Sequence, residues 1–519
     1  MSSPRFGSSF TQQCFTIALH LLFLLVSSAI VQPTRSNHSK RNGALLTLNV
    51  TSKNVVMDNG IIKVTLTNPS GSIAGIQFNG VKNLLNDSKQ QEYRGQWDIV
   101  WKTPNRRLSV YDRFNFMAIS DHIQRRMPTA ADRVYGSQPL AYKEAVLLTH
   151  PSNPTFKGEV DDKYQYSLES KDTNVHGWIC PKPHIGFWVI TGSSEFRSGG
   201  PIKQDLTSHV GPVALSMFFS NHYAGKIHTV SLRNGEAWKK VFGPVFIYLN
   251  SHSRYNPRYL WKNAKETMLS ETKSWPYNFP MSRDYPKGHQ RGTIVGRLLV
   301  HDRYISRKLM SAKFAYVGLA PPGNAGSWQR DVKGYQFWTQ TNKTGYFKIR
   351  AVRPGNYNLY AWVPGFLGDY KYNISINITP GDNINVRNLV FYPPRNGPTL
   401  WEIGIPDRKA SEFFVPDPKP GLVNRVFINR TAEKFKQYGL WDRYTDYYPK
   451  HDLVYTVGKS DYTKDWFFAH VNRRIGRNNV YESTTWRILF SLNNVNRIGT
   501  YTLRIALAGS SYADILVMQ

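Results

Sequence analysis

Three short stretches of this chain carry side chains able to move a proton or hold an anion. GEVDDKYQYS (158–167) presents Lys163 beside Asp161, Asp162, Tyr164 and Tyr166. SMFFSNHYAG (216–225) presents His222 just ahead of a glycine turn. Between them, EFRSGGPIKQDLTSHVGP (195–212) is a polar, glycine- and proline-rich loop with Arg197 and His209. Polar loops on rigid sheets are where sites are built. Upstream, Lys102, Arg106, Arg107, Arg113, Arg125, Arg126 and Arg133 face only Asp112, Asp121 and Asp132 over the same stretch. Guanidinium forks grip carboxylates bidentately, as a uronic-acid polymer would require. Each stretch also has an ordinary reading. A basic run is usually a solvated face, a lysine among aromatics is usually a packed surface residue, and a histidine at a strand end is more often structural than catalytic.

The elements that must position these groups read as strands. From about residue 43, LLTLNVTSKNVVMDNGIIKVTLTNPSGSIAGIQFNG alternates apolar and polar residues between DNG, NPSG and FNG turns. Short strands continue to about residue 235. In an extended 158–167 segment, Lys163 and Gln165 share one face and Tyr164 and Tyr166 the other. FGPVFIYLN (242–250) reads as a buried strand. NPRYLWKNAKETMLSETKSWP (256–276) is the best helix, with Leu260, Ala264, Met268 and Leu269 at helical spacing and Pro276 as a stop. A boundary is expected near 283–292. GRLLV, AYVGLA, YQFWTQ, GYFKI, YNLYAWV and NISINI then follow at the spacing of an all-β sandwich. After YPPRNGP (392–398) a third unit contains WFFAHV, TTWRILFSL, GTYTLRIALA and ADILVMQ, again expected as strands. The fold class is all-β.

Composition narrows the partner. The chain has 519 residues, enough for about three domains. Lys and Arg number 66 against 35 Asp and Glu, a formal charge of +31. Hydrophobic residues make up 41%, which excludes global disorder. Residues 1–32 carry one charge, Arg5, and an apolar run from Ile17 to Val31 that includes the small residues Ser27, Ser28 and Ala29, the pattern of a secretory signal. The run is short for a membrane span and His20 interrupts it, so cleavage, with no membrane attachment afterwards, is expected. N-x-S/T sequons at Asn37, Asn49, Asn86, Asn342, Asn373, Asn377 and Asn429 fit an exported glycoprotein. An exported cationic protein seldom meets nucleic acid, so the expected partner is an acidic extracellular polysaccharide. The alternative is that the charge only confers solubility.

Other chemistries find no foothold. The two cysteines are Cys14, inside the leader, and Cys180, which reads as a small buried residue. No Cys/His cluster has zinc spacing, and HEXXH, Walker and dinucleotide-binding patterns are absent. GSSEF (192–196) lacks the GxSxG frame of a nucleophile elbow. A paired-carboxylate glycosidase stays open, since acidic residues are scattered through the first unit and nothing singles out a pair.

The same stretches strongly resemble plant rhamnogalacturonan lyases of polysaccharide lyase family 4. The resemblance runs through QWDIVW (96–101), DRFNFMAIS (112–120), KYQYS, SGGPIKQDLTSHVGP, AYVGLAPPGNAGSWQRDVKGYQFWTQ (315–340), VRPGNYNLYAWVPGFLGDYKY (352–372), GPTLWEIGIPDRKASEFFVPDP (397–418) and SDYTKDWFFAHV (460–471). It implies a signal peptide (1–32) followed by three parts. These are a catalytic β-super-sandwich (43–285), a fibronectin-III-like sandwich (289–391) and a carbohydrate-binding-module-like jelly roll (396–519). It also implies cleavage of the rhamnose-to-galacturonate linkage of rhamnogalacturonan I by β-elimination. By resemblance Lys163 is the base that removes the galacturonate C5 proton and His222 the acid that assists the departing oxygen on C4. Arg125, Arg126, Arg197, His209, Tyr164 and Tyr166 are expected to bind substrate. His209 is the competing histidine. The resemblance requires no cofactor and no catalytic metal, leaves room for a structural calcium, and fits a secreted monomer acting on pectin in the cell wall.

Three departures from the family pattern are visible. QWDIVW runs almost directly into DRFNFMAIS, where relatives carry further strands, so the catalytic sandwich is expected to be shortened. In DHIQRRMP, Ile123 stands where relatives place the first arginine of an Arg-Gln-Arg run, and Arg125 keeps the second. Losing that guanidinium should cost roughly 1–3 kcal/mol of carboxylate binding. The text stops at ADILVMQ, where relatives continue, so the jelly roll is expected to be incomplete, with an unpaired edge. Two rival readings follow: a catalytically inactive pectin-binding homologue, and a chain whose incomplete sandwiches do not fold stably.

Overall fold

A computed structural model describes residues 46–69, 71, 73–85, 108–109, 114–142, 144–209, 213–214, 225–476, 480–507 and 513–518. His222, the QWDIVW stretch, residues 1–32, where a leader is expected, and Lys102, Arg106, Arg107 and Arg113 lie outside the described residues.

Alternation builds the first sheet. Thr47–Val50, Asn54–Asp58, Ile62–Thr67 and Ile73–Phe78 form a four-stranded antiparallel meander. Val55, Met57, Ile62, Val64 and Leu66 point from it into the core. The second sheet has five antiparallel strands, in the order Val245–Ser251, His184–Thr191, Val175–Pro181, Phe116–Ala118 and Gln124–Arg126. Its middle strands are buried on both faces. One face packs on the meander through Met117, Trp178, Phe187 and Val189. The other is covered by the helix Pro257–Ser274, which lays Leu260, Trp261, Ala264 and Met268 over Val175, Ile179, Trp188 and Ile190. That helix starts where the sequence says it should: Asn256 caps it by accepting from the Tyr259 amide at 3.0 Å, and Pro257 occupies the first turn. Cys180 is buried, its thiol donating to the Lys182 carbonyl at 3.3 Å.

Residues 292–391 form two facing sheets around one core. Gly292–Val300 lies between Tyr346–Val352, antiparallel, and Asn383–Phe391, parallel. Tyr316–Ala320, Phe337–Gln340, Gly355–Trp362, Tyr370–Lys371 and Ile376–Ile378 make the other sheet. Ile294, Leu298, Val317, Leu319, Phe347 and Leu359 fill the space between.

The last part departs from expectation. Its described strands are short: Val454–Thr456 pairs with Arg487–Leu489, and Arg473–Ile475 with Val480–Glu482. WFFAHV is not a strand. Phe467 makes a single bridge to Phe414 and sits in a small aromatic core with Tyr444 and Tyr455. The described residues of GTYTLRIALA and ADILVMQ form no strand either. Their alternation is real, but a strand needs a hydrogen-bonded neighbour, and Ile505, Leu507, Leu516 and Val517 stand exposed. Among the described residues no helix is long and apolar enough to cross a membrane.

One buried histidine makes the first unit acid-sensitive. His176 is sealed in the double-sided sheet with neither ring nitrogen hydrogen-bonded. Burial, aided by nearby Arg197, pushes its pKa down to about 3. The folded value lies below the unfolded one, about 6.5. The stability it confers is therefore complete above that value and lost as pH falls towards 3. His176→Gln should make the acid limb of stability shallower by about 1.4 kcal/mol per pH unit between pH 6 and 4. Urea midpoints across that range measure it, and an unchanged slope would contradict the assignment.

Candidate active site

Lys163 stands at the end of the strand Val160–Asp162, where the chain turns. The extended 158–167 segment expected from alternation is not what forms. Lys163–Tyr166 is a single 3-10 turn, because Asp162 accepts from the Tyr164 amide at 3.0 Å while Gln165 Oε1 accepts from the Asp162 amide at 3.2 Å. This reciprocal cap satisfies donors an extended chain would have offered to a neighbouring strand. It also separates the side chains by role. Asp161 turns wholly inward, accepting from Arg133 and from the Tyr166 hydroxyl. Asp162 accepts from the Tyr142 hydroxyl. Burial pushes the Asp162 carboxyl up, against the lowering pull of that hydroxyl and the Tyr164 amide. The two carboxylates beside the lysine are thus engaged in the core. Lys163 keeps 22% of its side chain exposed, with Glu144 Oε1 3.9 Å from Nζ. Tyr164 is 47% exposed and edge-on to Tyr142 at 5.8 Å.

The short strand Ser208–His209 packs against this turn and pairs with Val213–Ala214. The backbone of Ser208–His209 therefore lies beside the Lys163–Tyr166 turn. His222 falls outside the described residues, so its place relative to the lysine is carried by the sequence alone.

Two expected substrate contacts are corrected. Arg197 is buried, and its guanidinium donates to the Ser170 carbonyl at 2.6 Å, the Thr173 hydroxyl at 2.5 Å and carbonyl at 2.9 Å, and the Thr191 hydroxyl at 2.6 Å. It ties loops together where no polysaccharide reaches. Tyr166 is likewise sealed, its hydroxyl spent on Asp161. Arg125 and Arg126 do line an open cavity of about 420 Å³. Arg125 Nη2 donates to Glu159 at 2.6 Å and its Nε to the Arg126 carbonyl at 2.7 Å. Burial pushes the Glu159 carboxyl up, and Arg125 only partly offsets this. Ile123 is buried in the core, so no guanidinium reaches this wall from that position.

Sequence reasoning missed the contribution of residues far along the chain. Asn424 donates to the Val160 carbonyl at 2.9 Å and to Gln165 Oε1, bracing the Lys163 turn from behind. Arg425 and Arg430 line the same cavity as Arg125. The NRVFINR cluster (424–430) was the available signal, but nothing local indicates that it folds back over 259 residues. Among the described residues no group of three or more His, Cys, Asp or Glu side chains could hold a metal ion.

Comparison with known proteins finds relatives for the chain as a whole. Residues 31–113 and 107–160 match the model of the rhamnogalacturonate lyase family. Residues 312–386 match domain II of polysaccharide lyase family 4, and residues 399–518 match its domain III. The chain is 26% identical over 394 residues to a rhamnogalacturonate lyase of Dickeya dadantii, covering 74% of this chain and 57% of that protein. It is 25% identical over 417 residues to a probable rhamnogalacturonate lyase B of Aspergillus terreus, covering 75% and 58%. It is 26% identical over 371 residues to rhamnogalacturonate lyase B of Emericella nidulans, covering 68% and 52%. The chain thus spans little more than half the length of the curated relatives it matches. Among solved structures, a carbohydrate-binding protein of Pseudomonas aeruginosa, itself described as putative, aligns over 20% of this chain and 91% of its own with 13% identity. At a TM-score of 0.16 that likeness carries no argument.

Proposed function

The chain is a polysaccharide-lyase-family-4-like protein with that family's domain architecture, and we propose that it cleaves the rhamnose-(1→4)-galacturonate bond of rhamnogalacturonan I by β-elimination. The observation that carries the reading is Lys163 itself: a partly exposed lysine on a capped turn, with both preceding aspartates drawn into the core. The C5 proton of galacturonate sits beside a carboxylate, so its removal builds negative charge there. Cations that neutralise that carboxylate lower the barrier. Lys163, as the free amine, takes the C5 proton. The electron pair forms the C4–C5 double bond, the C4–O bond breaks, and His222 protonates the departing oxygen. Arg126 and Tyr164 are the exposed side chains available to hold the sugar, with Arg125 behind them. The units follow the ranges 43–285, 289–391 and 396–519, in a secreted, glycosylated monomer whose partner is acidic pectin.

The test is incubation with rhamnogalacturonan I while following the ultraviolet absorbance of the new double bond. A well-folded protein that binds the polymer and gives no absorbance is the inactive binding homologue, and the lyase reading is then rejected. Ile123 in place of an expected guanidinium is the observation that favours this second reading.

A further inference from the structure

The sandwich of residues 292–391 turns one face of its first sheet to solvent. Alternation along the strands divides that sheet. Ile294, Leu298, Phe347 and Ile349 point into the core. The opposite face is built from Gly292–Val300, flanked by Tyr346–Val352 and Asn383–Phe391, and none of these three strands contains Asp or Glu. Register sets its rows. Arg297 pairs with Tyr346 on one side and Asn388 on the other, and Val295 with Lys348 and Asn385. Tyr346, Lys348 and Arg350 on one flank, and Asn383, Asn385 and Asn388 on the other, are all exposed. Strict alternation from Asn385 would turn Asn388 inward. A register shift between Val295 and Arg297, with Arg387 at a φ of 58° and its amide donating to Asn385 Oδ1 at 2.8 Å, returns Asn388 to the outer row. The Tyr346 ring is packed under Arg297, whose guanidinium lies 5.1 Å from the ring centroid, and the residue stays 53% exposed. The acids of this unit are engaged elsewhere. Asp302 holds Arg395 and Asp369 holds Arg408, while Asp331 and Asp382 accept from the Gly334 and Thr379 amides at 3.1 and 2.7 Å.

We propose that this face is a docking surface for a linear uronic-acid polymer, polygalacturonate, separate from the Lys163 turn and from the cavity at Arg125. A flat sheet has no walls to enclose a single sugar. Its outward side chains recur about 6.8 Å apart along a strand and about 4.8 Å apart between strands, which presents repeated contacts to an extended chain. Lys348 and Arg350 take carboxylates. The asparagine amides, which both donate and accept, take ring hydroxyls. Tyr346 offers its ring to the apolar side of one sugar. Cations alone would attract any polyanion, and the amide row beside them favours a hydroxyl-rich one. The face binds whether or not Lys163 acts, so the proposal is independent of the lyase reading.

The experiment is calorimetric titration of the full chain with polygalacturonate, which contains no rhamnose and so lacks the bond assigned to the lyase. Lys348→Gln/Arg350→Gln is compared with Lys262→Gln/Lys273→Gln, which removes the same charge from the helix Pro257–Ser274. The face variant should bind about tenfold more weakly at an unchanged melting temperature, and the helix variant within about twofold of the unsubstituted chain. Full affinity in a folded face variant would overturn the proposal, as would an equal loss in the helix variant. Double-stranded DNA bound as tightly as polygalacturonate, and weakened equally by the face variant, would replace the proposed partner with polyanions in general. Acetylation footprinting of the unsubstituted chain removes any dependence on how the variants fold. Polygalacturonate should shield Lys348 more than Lys262, and a Lys348 that stays as reactive as Lys262 overturns the proposal.

Discussion

Lys163→Ala should abolish double-bond formation from rhamnogalacturonan I while leaving the melting temperature within a degree or two. The turn is held by Asp162, Gln165 and Asn424, all untouched by the substitution. Loss of the proposed base should remove at least the 10²–10⁴-fold that a positioned base contributes. His222→Ala and His209→Ala separate the two histidines. The first should cut the rate of elimination strongly. The second should act mainly on KM, because its loop fits substrate positioning. Retained activity in Lys163→Ala would remove the base assignment, and a kcat collapse confined to His209→Ala would transfer the acid role to that residue.

Glu195→Ala should destabilise the whole chain by about 3–5 kcal/mol, the cost of stranding buried charge. Glu195 is buried where the first unit meets the second. Arg291 grips it with two bonds, at 2.6 and 3.2 Å, and Arg353 adds a third at 3.3 Å. Both guanidiniums are stacked on aromatic rings, Arg291 on Trp275 and Tyr285 and Arg353 on Tyr335. With the carboxylate gone, two cations remain in a space water does not fill. Around this clamp the seam is laced by Trp238 donating to the Lys333 carbonyl at 3.0 Å and Lys240 to the Gly334 carbonyl at 2.7 Å. Differential scanning calorimetry should show a lower midpoint and a transition that splits into separate steps. Glu195→Gln, which keeps the acceptor oxygen, should lose less. A single unshifted transition in Glu195→Ala would show that the clamp contributes nothing to coupling.

The legible parts of this fold were those written in local code. The helix at Pro257–Ser274 announced itself through Asn256, Pro257 and the spacing of Leu260, Ala264 and Met268. The strands of residues 292–391 followed their alternation, because each finds a hydrogen-bonded neighbour nearby in the sandwich. The Lys163 turn was misread because its apolar and polar residues alternate as a strand would, while the Asp162…Gln165 cap overrides that signal. The D-x-x-Q spacing could have revealed it. The burial of Arg197 and Tyr166 was out of reach for another reason. Whether a guanidinium faces solvent or ties Ser170 to Thr191 depends on which loops meet, and that is settled by tertiary packing. The strand-like text of 499–507 shows the converse, a local preference that no partner strand among the described residues rewards.

The grip of Asn424 on Val160 and Gln165 bears on how such a protein can be cut apart. The segment that follows the sandwich of residues 292–391 is no detachable appendage. A trimmed version ending near residue 391 would leave the Val160 carbonyl and the Gln165 amide without their distant counterpart, and the lysine they orient would wander. A shortened version meant to keep the Lys163 turn in place should therefore carry the 424–438 stretch along with the front half.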